Sequence, residues 1–158
     1  MGFAALLLFT SAALAPAPDT AQVTNCPWAT LGSAATVLGG DPTSIVQLSE
    51  KAKGEGSCTF SITDAVSKQT LRVVVGKAAA QNPCPSGSAP LAGVGNGAIM
   101  CTMRHGSEEV VEMIVSRVRA THFTVSISIR RKGSKNASVG HYEDGLKMIA
   151  EQVAGNLF

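Results

Sequence analysis

Few residues in this chain have the types and spacing that do chemistry. The most compact group is His105-Gly106-Ser107-Glu108, which sets an imidazole, a hydroxyl and a carboxylate close together. Acyl transfer needs such groups to converge in space around a shielded nucleophile. The glycine between His105 and Ser107 instead predicts a hairpin tip, where neighbouring side chains diverge into water. No G-x-S-x-G pattern supplies another nucleophile. A small secreted hydrolase is therefore the least favoured reading. Glu108, Glu109 and Glu112 form a local carboxylate cluster. Glycoside hydrolysis needs two carboxylates across a cleft of defined width, and an exposed strand edge accounts for these three equally well. His141 precedes Tyr142-Glu143-Asp144. That run reads as the solvated start of a helix, with a weak metal site on Glu143 or Asp144 as the alternative.

Binding groups are easier to find than reactive ones. Thr124, Ser126 and Ser128 alternate along one run and offer hydroxyls at regular spacing, so they are candidate ligand-facing residues. Solvent exposure is the competing explanation. Arg130-Arg131-Lys132 with Lys135 is the one basic patch. It reads as a solvated turn, with contact to anionic lipid or polysaccharide as the alternative. The segment Leu91-Ala92-Gly93-Val94-Gly95-Asn96-Gly97 has glycines at alternate positions. A phosphate-cradling loop would need a strand before it and a helix after it. Here Pro90 precedes it and a strand-like run, Ala98 to Arg104, follows, so a tight turn is expected. No catalytic residue, cofactor or metal set is assigned.

The four cysteines are Cys26, Cys58, Cys84 and Cys101. An even number in an exported chain predicts disulfides. Pairing of sequence neighbours gives Cys26–Cys58 and Cys84–Cys101. Zinc needs ligands clustered at short spacing, and no C-x2-C pair occurs. Export itself is read from residues 1–15 as a signal peptide. Ala4 to Leu14 is its apolar region and Ala13-Leu14-Ala15 its small-x-small cleavage pattern. Cleavage after Ala15 is expected, with Ala17 and Ala21 as later alternatives. The apolar run is shorter than the roughly 18 residues a membrane span requires, so no stable insertion is expected once the leader is removed. Localisation is accordingly periplasmic or secreted.

The elements that must position these groups follow from composition and periodicity. The chain has 158 residues, of which 15% are charged, and a net charge of +2. This balance excludes a strongly basic nucleic-acid binder. Aromatics are 4%, so no stacking platform for bases or sugars is available. Residues 16–25 form a flexible lead-in, and residues 26–158 are expected to be one domain. Leu31 to Leu38 predicts a short helix with Thr30 or Ser33 as N-cap and Gly39-Gly40 as its stop. Ile45 to Leu48 suggests a short strand. Cys58, Phe60 and Ile62 alternate with Thr59 and Ser61, and Leu71, Val73 and Val75 repeat the pattern, which predicts an antiparallel hairpin. Glu109 to Val118 is ambiguous between strand and helix. Its β-branched content favours strand, with Val111, Met113 and Val115 inward. Thr121 to Arg130 is the clearest strand, with Phe123, Val125, Ile127 and Ile129 on one face. Glu143 to Leu157 predicts a helix whose apolar stripe is Tyr142, Leu146, Ile149, Val153 and Leu157. The fold class is α+β: a single-domain sandwich of a twisted antiparallel sheet packed by a short N-terminal helix and a C-terminal helix.

Several of these pieces together carry a resemblance. They are Cys26-Pro27 leading to the helix ending Leu38-Gly39-Gly40, then Gly56-Ser57-Cys58-Thr59-Phe60, the Leu91–Ala98 segment, Arg117-Val118-Arg119, and Ala150-Glu151-Gln152-Val153-Ala154. The chain resembles a family of exported bacterial proteins and is similar in layout to the DUF3558-type lipoproteins and the extracellular sensor domains of PknH-like kinases. The resemblance implies a disulfide-braced α+β domain outside the cytoplasm with a ligand in a cleft, and it brings no catalytic residues. The chain departs from the lipoprotein members because no cysteine stands at the cleavage point. The expected function is a non-catalytic extracytoplasmic binding or sensing domain, its partner a small molecule or an envelope protein. A structural or protein-interaction role in the envelope is the alternative.

Overall fold

A computed structural model describes residues 25–81, 84–85, 88–133 and 142–158. The proposed leader and most of the lead-in, with Lys135 and His141, lie outside the described residues. Helix α1 spans Leu31–Leu38 and α2 spans Glu143–Asn156. The strands are β1 (Thr43–Leu48), β2 (Gly56–Thr63), β3 (Ser67–Val75), β4 (Ala89–Leu91), β5 (Ala98–His105), β6 (Glu109–Val118) and β7 (Thr121–Arg131). A 3-10 helix, Lys77–Ala80, follows β3. All seven strands form one antiparallel sheet in the order β1-β2-β3-β7-β6-β5-β4. The α+β class expected from the sequence is the architecture observed.

One face of the sheet carries both helices. α1 lies over β2 and β3, and α2 over β6 and β7. The pairing register sets Phe60, Leu71 and Ile127 in one row across that face, with Cys58, Val73 and Val125 in the next. These side chains are buried against Leu146, Ile149, Ala150 and Val153 of α2 and Ala34, Val37 and Leu38 of α1. Each large apolar side chain so buried contributes about 1.5–3 kcal/mol. The helices can approach closely because residue 145 is glycine. A Cβ there would stand 3.1 Å from Val37 Cγ2. Thr30 is the N-cap of α1, its hydroxyl accepting the Ser33 amide at 3.0 Å. The Tyr142 hydroxyl donates to Gln69 Oε1 at 3.2 Å, and the Asn156 amide to the Trp28 carbonyl at 3.1 Å, so α2 is tied at both ends.

The inward face of β6 differs from the expectation. Val110, Ile114 and Val118 are buried on the helix side, while Val111 and Met113 are half-buried on the other. The apolar spacing of four is even, so these three residues share a strand face as well as a helix face. Even spacing therefore could not by itself choose between the two sets.

The opposite face is partly covered by the connection from β3 to β4. The Gly76 amide donates to the His122 carbonyl at 2.8 Å, Ala79 is buried, and Cys84 is bonded to Cys101 on β5. Val115, which lies on that face too, is buried, as is Thr124. The second disulfide, Cys26–Cys58, joins the segment before α1 to the core of β2. Both pairings are those of sequence neighbours. Among the described residues no helix is long and apolar enough to cross a membrane.

Candidate ligand-binding cleft

The sheet is wider than the helical layer. α2 covers β6 and β7, so β5 and β4 project beyond it as a flange. A cleft of about 410 Å³ opens there, between the flange and the start of α2. Its apolar wall is Leu91 and Met100, both packed against the core. Thr102 and Ser88 supply hydroxyls, and Glu112 and Glu143 supply carboxylates. The volume falls in the range of small-molecule sites, and the open lining mixes apolar and polar groups in near-equal measure.

Glu112 is the unusual member. It stands on β6 between Val110 and Ile114, opposite Thr102 on one side and Ile127 on the other. That position belongs to the core-facing row, where an apolar residue is the rule. Its Oε2 is buried and has no hydrogen-bond partner. Burial pushes the carboxyl above its ordinary value, and the charge of Glu143 adds to the shift. A carboxyl held in this way either keeps a proton at higher pH than usual or takes a cationic or hydrogen-donating partner. The sequence grouped Glu112 with Glu108 and Glu109, and the structure separates them. Glu108 lies exposed beyond the strand and accepts the Gly133 amide at 3.1 Å. Glu109 points to the opposite face. The separating signal was present in the sequence as parity, since Glu112 stands two residues from both Val110 and Ile114.

The hydroxyl row is on the face away from the helices. Thr124 is 8% exposed. Ser126 is half-buried. Ser128 donates to Glu109 Oε1 at 2.5 Å, and Arg130 to Glu109 Oε2 at 3.2 Å. Ser128, Thr70, Lys68, Arg130 and Glu109 line a shallow groove of about 320 Å³. The Ser128 hydrogen bond, followed by the bond to Arg130, holds the Glu109 carboxyl below its ordinary value. An ionised, doubly bonded carboxylate is a weak base, so this groove has no activated nucleophile. Of the three candidate ligand-facing residues, Ser128 alone reaches this groove, and none lines the larger cleft.

His105 is exposed at the end of β5, and Gly106 and Ser107 form the exposed β5–β6 turn. The glycine-rich segment is a structural plug. Val94 is buried, its carbonyl accepts the Ser116 hydroxyl at 3.0 Å, and Asn96 accepts the Arg119 amide through Oδ1 at 3.0 Å. The Asn96 amide donates to the Arg117 carbonyl at 2.7 Å. These polar groups are spent on the end of β6 and do not form an anion cradle. Among the described residues no group of three or more His, Cys, Asp or Glu could hold a metal ion. No family model, curated protein or solved structure matches the chain.

Proposed function

We propose that the protein is a non-catalytic extracytoplasmic binding domain, and that its ligand is a small molecule with an apolar body and a cationic or hydrogen-donating group. The observation that carries this reading is Glu112, a carboxyl that lines the cleft and whose Oε2 is buried without a hydrogen-bond partner. Buried polar groups are normally satisfied, and an orphan in a cleft is a place for a ligand atom. Leu91 and Met100 would cover the apolar body, while Thr102 and Ser88 would orient it. Two disulfides fit an oxidising compartment. The leader-like residues 1–15 support export, and the resemblance in layout that the sequence bears to extracellular sensor domains supports sensing as the use of the site.

The test is calorimetric titration of the oxidised protein with a series of linear alkylamines and the matching alcohols. The amine should bind roughly tenfold more tightly than the alcohol of equal length, the effect of one charge-assisted hydrogen bond. Glu112→Gln should erase that preference and leave alcohol binding unchanged. Equal affinities in the wild type, or a preference that survives the substitution, would refute the assignment.

A further inference from the structure

The two ends of α2 border different cavities. Glu143, at its start, lines the cleft at Glu112. Leu157, just past its end, lines a second cavity of about 310 Å³. Three other segments close around this one: the β1–β2 turn at residues 53–55, the entry to the 3-10 helix at Gly76 and Lys77, and the β6–β7 turn at residues 120–122. Backbone bonds fix these walls. The Gly76 amide donates to the His122 carbonyl at 2.8 Å, and the Ala79 amide to the Gly76 carbonyl at 3.0 Å. The Ser49 amide closes the β1–β2 turn on the Glu55 carbonyl at 2.9 Å, and the Ala52 amide donates to Ser49 Oγ at 3.1 Å. The cavity is therefore built into the fold. Its charge is uneven. Lys53, Lys77 and His122 line it from three separate segments, and Thr121 adds a hydroxyl. Neither lysine has an ion-pair partner among the described residues. Glu55 is the one carboxylate of the lining, and it is engaged elsewhere. Its Oε2 accepts the Lys77 amide at 3.4 Å. Its side chain lies over the bare Cα of Gly76, where a Cβ would come within 2.6 Å of the same oxygen.

We propose that this cavity is a second ligand site, which takes a compact dianion, sulfate or phosphate, either free or as the ester group of a sugar. Two unpaired ammonium groups and an imidazole on one recess repel one another when charged, and an anion between them removes that cost. A recess lined mostly by one sign of charge also concentrates counter-ions. A lysine ammonium donates from a flexible stem as a point charge, which suits a tetrahedral anion with acceptors on every side. The Thr121 hydroxyl is a further donor beside it. The cavity has room beyond a single tetrahedral ion, and Leu157 gives that remainder an apolar side. In charge this site is the opposite of the cleft at Glu112, so the two select different molecules.

Amide chemical shifts of the oxidised full chain, followed during titration with sodium sulfate, sodium phosphate or glucose 6-phosphate, test the site. Sodium chloride at equal ionic strength is the reference, because it screens charge without offering a dianion. Sulfate should saturate with a Kd of about 1 mM, moving the amides of Gly54, Lys77 and Thr121 together, while chloride should not saturate. Lys53→Gln and Lys77→Gln should each weaken sulfate about tenfold. Both lysines are exposed, so Tm should stay within about 2 °C of the wild type and the loss cannot be unfolding. Lys68→Gln, in the groove beside Glu109, should leave sulfate binding unchanged. Tighter binding of glucose 6-phosphate than of phosphate would support the site and assign it to a sugar ester. Equal binding would support it and assign it to the free ion. Absence of saturation by all three anions would overturn the proposal. So would sulfate binding that survives both Lys53→Gln and Lys77→Gln, or that is lost in Lys68→Gln, which would place the anion in the other groove.

Discussion

Replacing Glu112 by Gln removes a charge while keeping the shape of the side chain, and it should make the protein more stable. In the wild type one carboxylate oxygen is buried with no hydrogen-bond partner. Leaving a buried polar group unsatisfied costs about 1–3 kcal/mol, and more when it is charged. The glutamine amide leaves a neutral polar atom in the same place, so only the extra cost of the buried charge is relieved; Glu112 is half-buried and its other oxygen keeps contact with water, which holds that gain to about 1–2 kcal/mol. At about 4 °C per kcal/mol for a domain of this size, Tm at pH 7 should rise by about 4–8 °C. The pH dependence gives a second, independent handle. The folded-state pKa is raised above the ordinary 4.5. The folded protein therefore holds the Glu112 proton more tightly than the unfolded chain does. The penalty is absent below pH 4.5, grows as pH climbs through the raised folded value, and is complete above it. Wild type and Glu112→Gln should thus melt together at about pH 4 and diverge toward pH 7. Thermal unfolding followed by circular dichroism at several pH values, with the disulfides intact, measures both effects. A lower Tm for Glu112→Gln at pH 7, or a difference that does not change with pH, would show that the carboxylate is satisfied in the fold. The assignment of the cleft would fall with it.

Two further outcomes follow from the geometry. Gly95 has φ +54°, and a Cβ there would sit 2.4 Å from the Arg117 carbonyl oxygen and 2.7 Å from Ser116 Oγ. Gly95→Ala should cost about 2–4 kcal/mol, the left-handed backbone and the overlap together, whereas Gly97→Ala, which meets nothing within 4 Å, should cost only the backbone part of about 1–2 kcal/mol. Denaturant melts giving equal losses for the two variants would remove the plug role of the segment. Disulfide removal by paired Cys→Ala substitution should cost about 4 kcal/mol for Cys26–Cys58, with 32 residues of separation, and about 3 kcal/mol for Cys84–Cys101, with 17. Non-reducing peptide mapping that joins Cys26 to Cys84 would contradict both figures at once.

Much of the architecture could be read along the chain. The alternation of Phe123, Val125, Ile127 and Ile129 with hydroxyls marks a strand buried on one side, and the stripe of Leu146, Ile149 and Val153 marks a helix, because both patterns record which side of a local element meets the core. The cap at Thr30 is also local, and the two disulfide pairings coincide with the order of the cysteines along the chain. The site was less legible. Glu112 looked like one of three surface carboxylates because composition treats neighbours alike, while the pleat of β6 sends Glu109 and Glu112 to opposite faces. Thr124 looked available because a period of two assigns residues to a face without saying what covers it, and the connection from β3 to β4 packs over that end. Tertiary structure alone decided that β7 lies between β3 and β6, that the helices stop short of β5 and β4, and that a cleft opens where they stop. Local periodicity fixes which residues share a face. The packing of distant segments fixes what each face meets, and a binding site is made by what is left unmet.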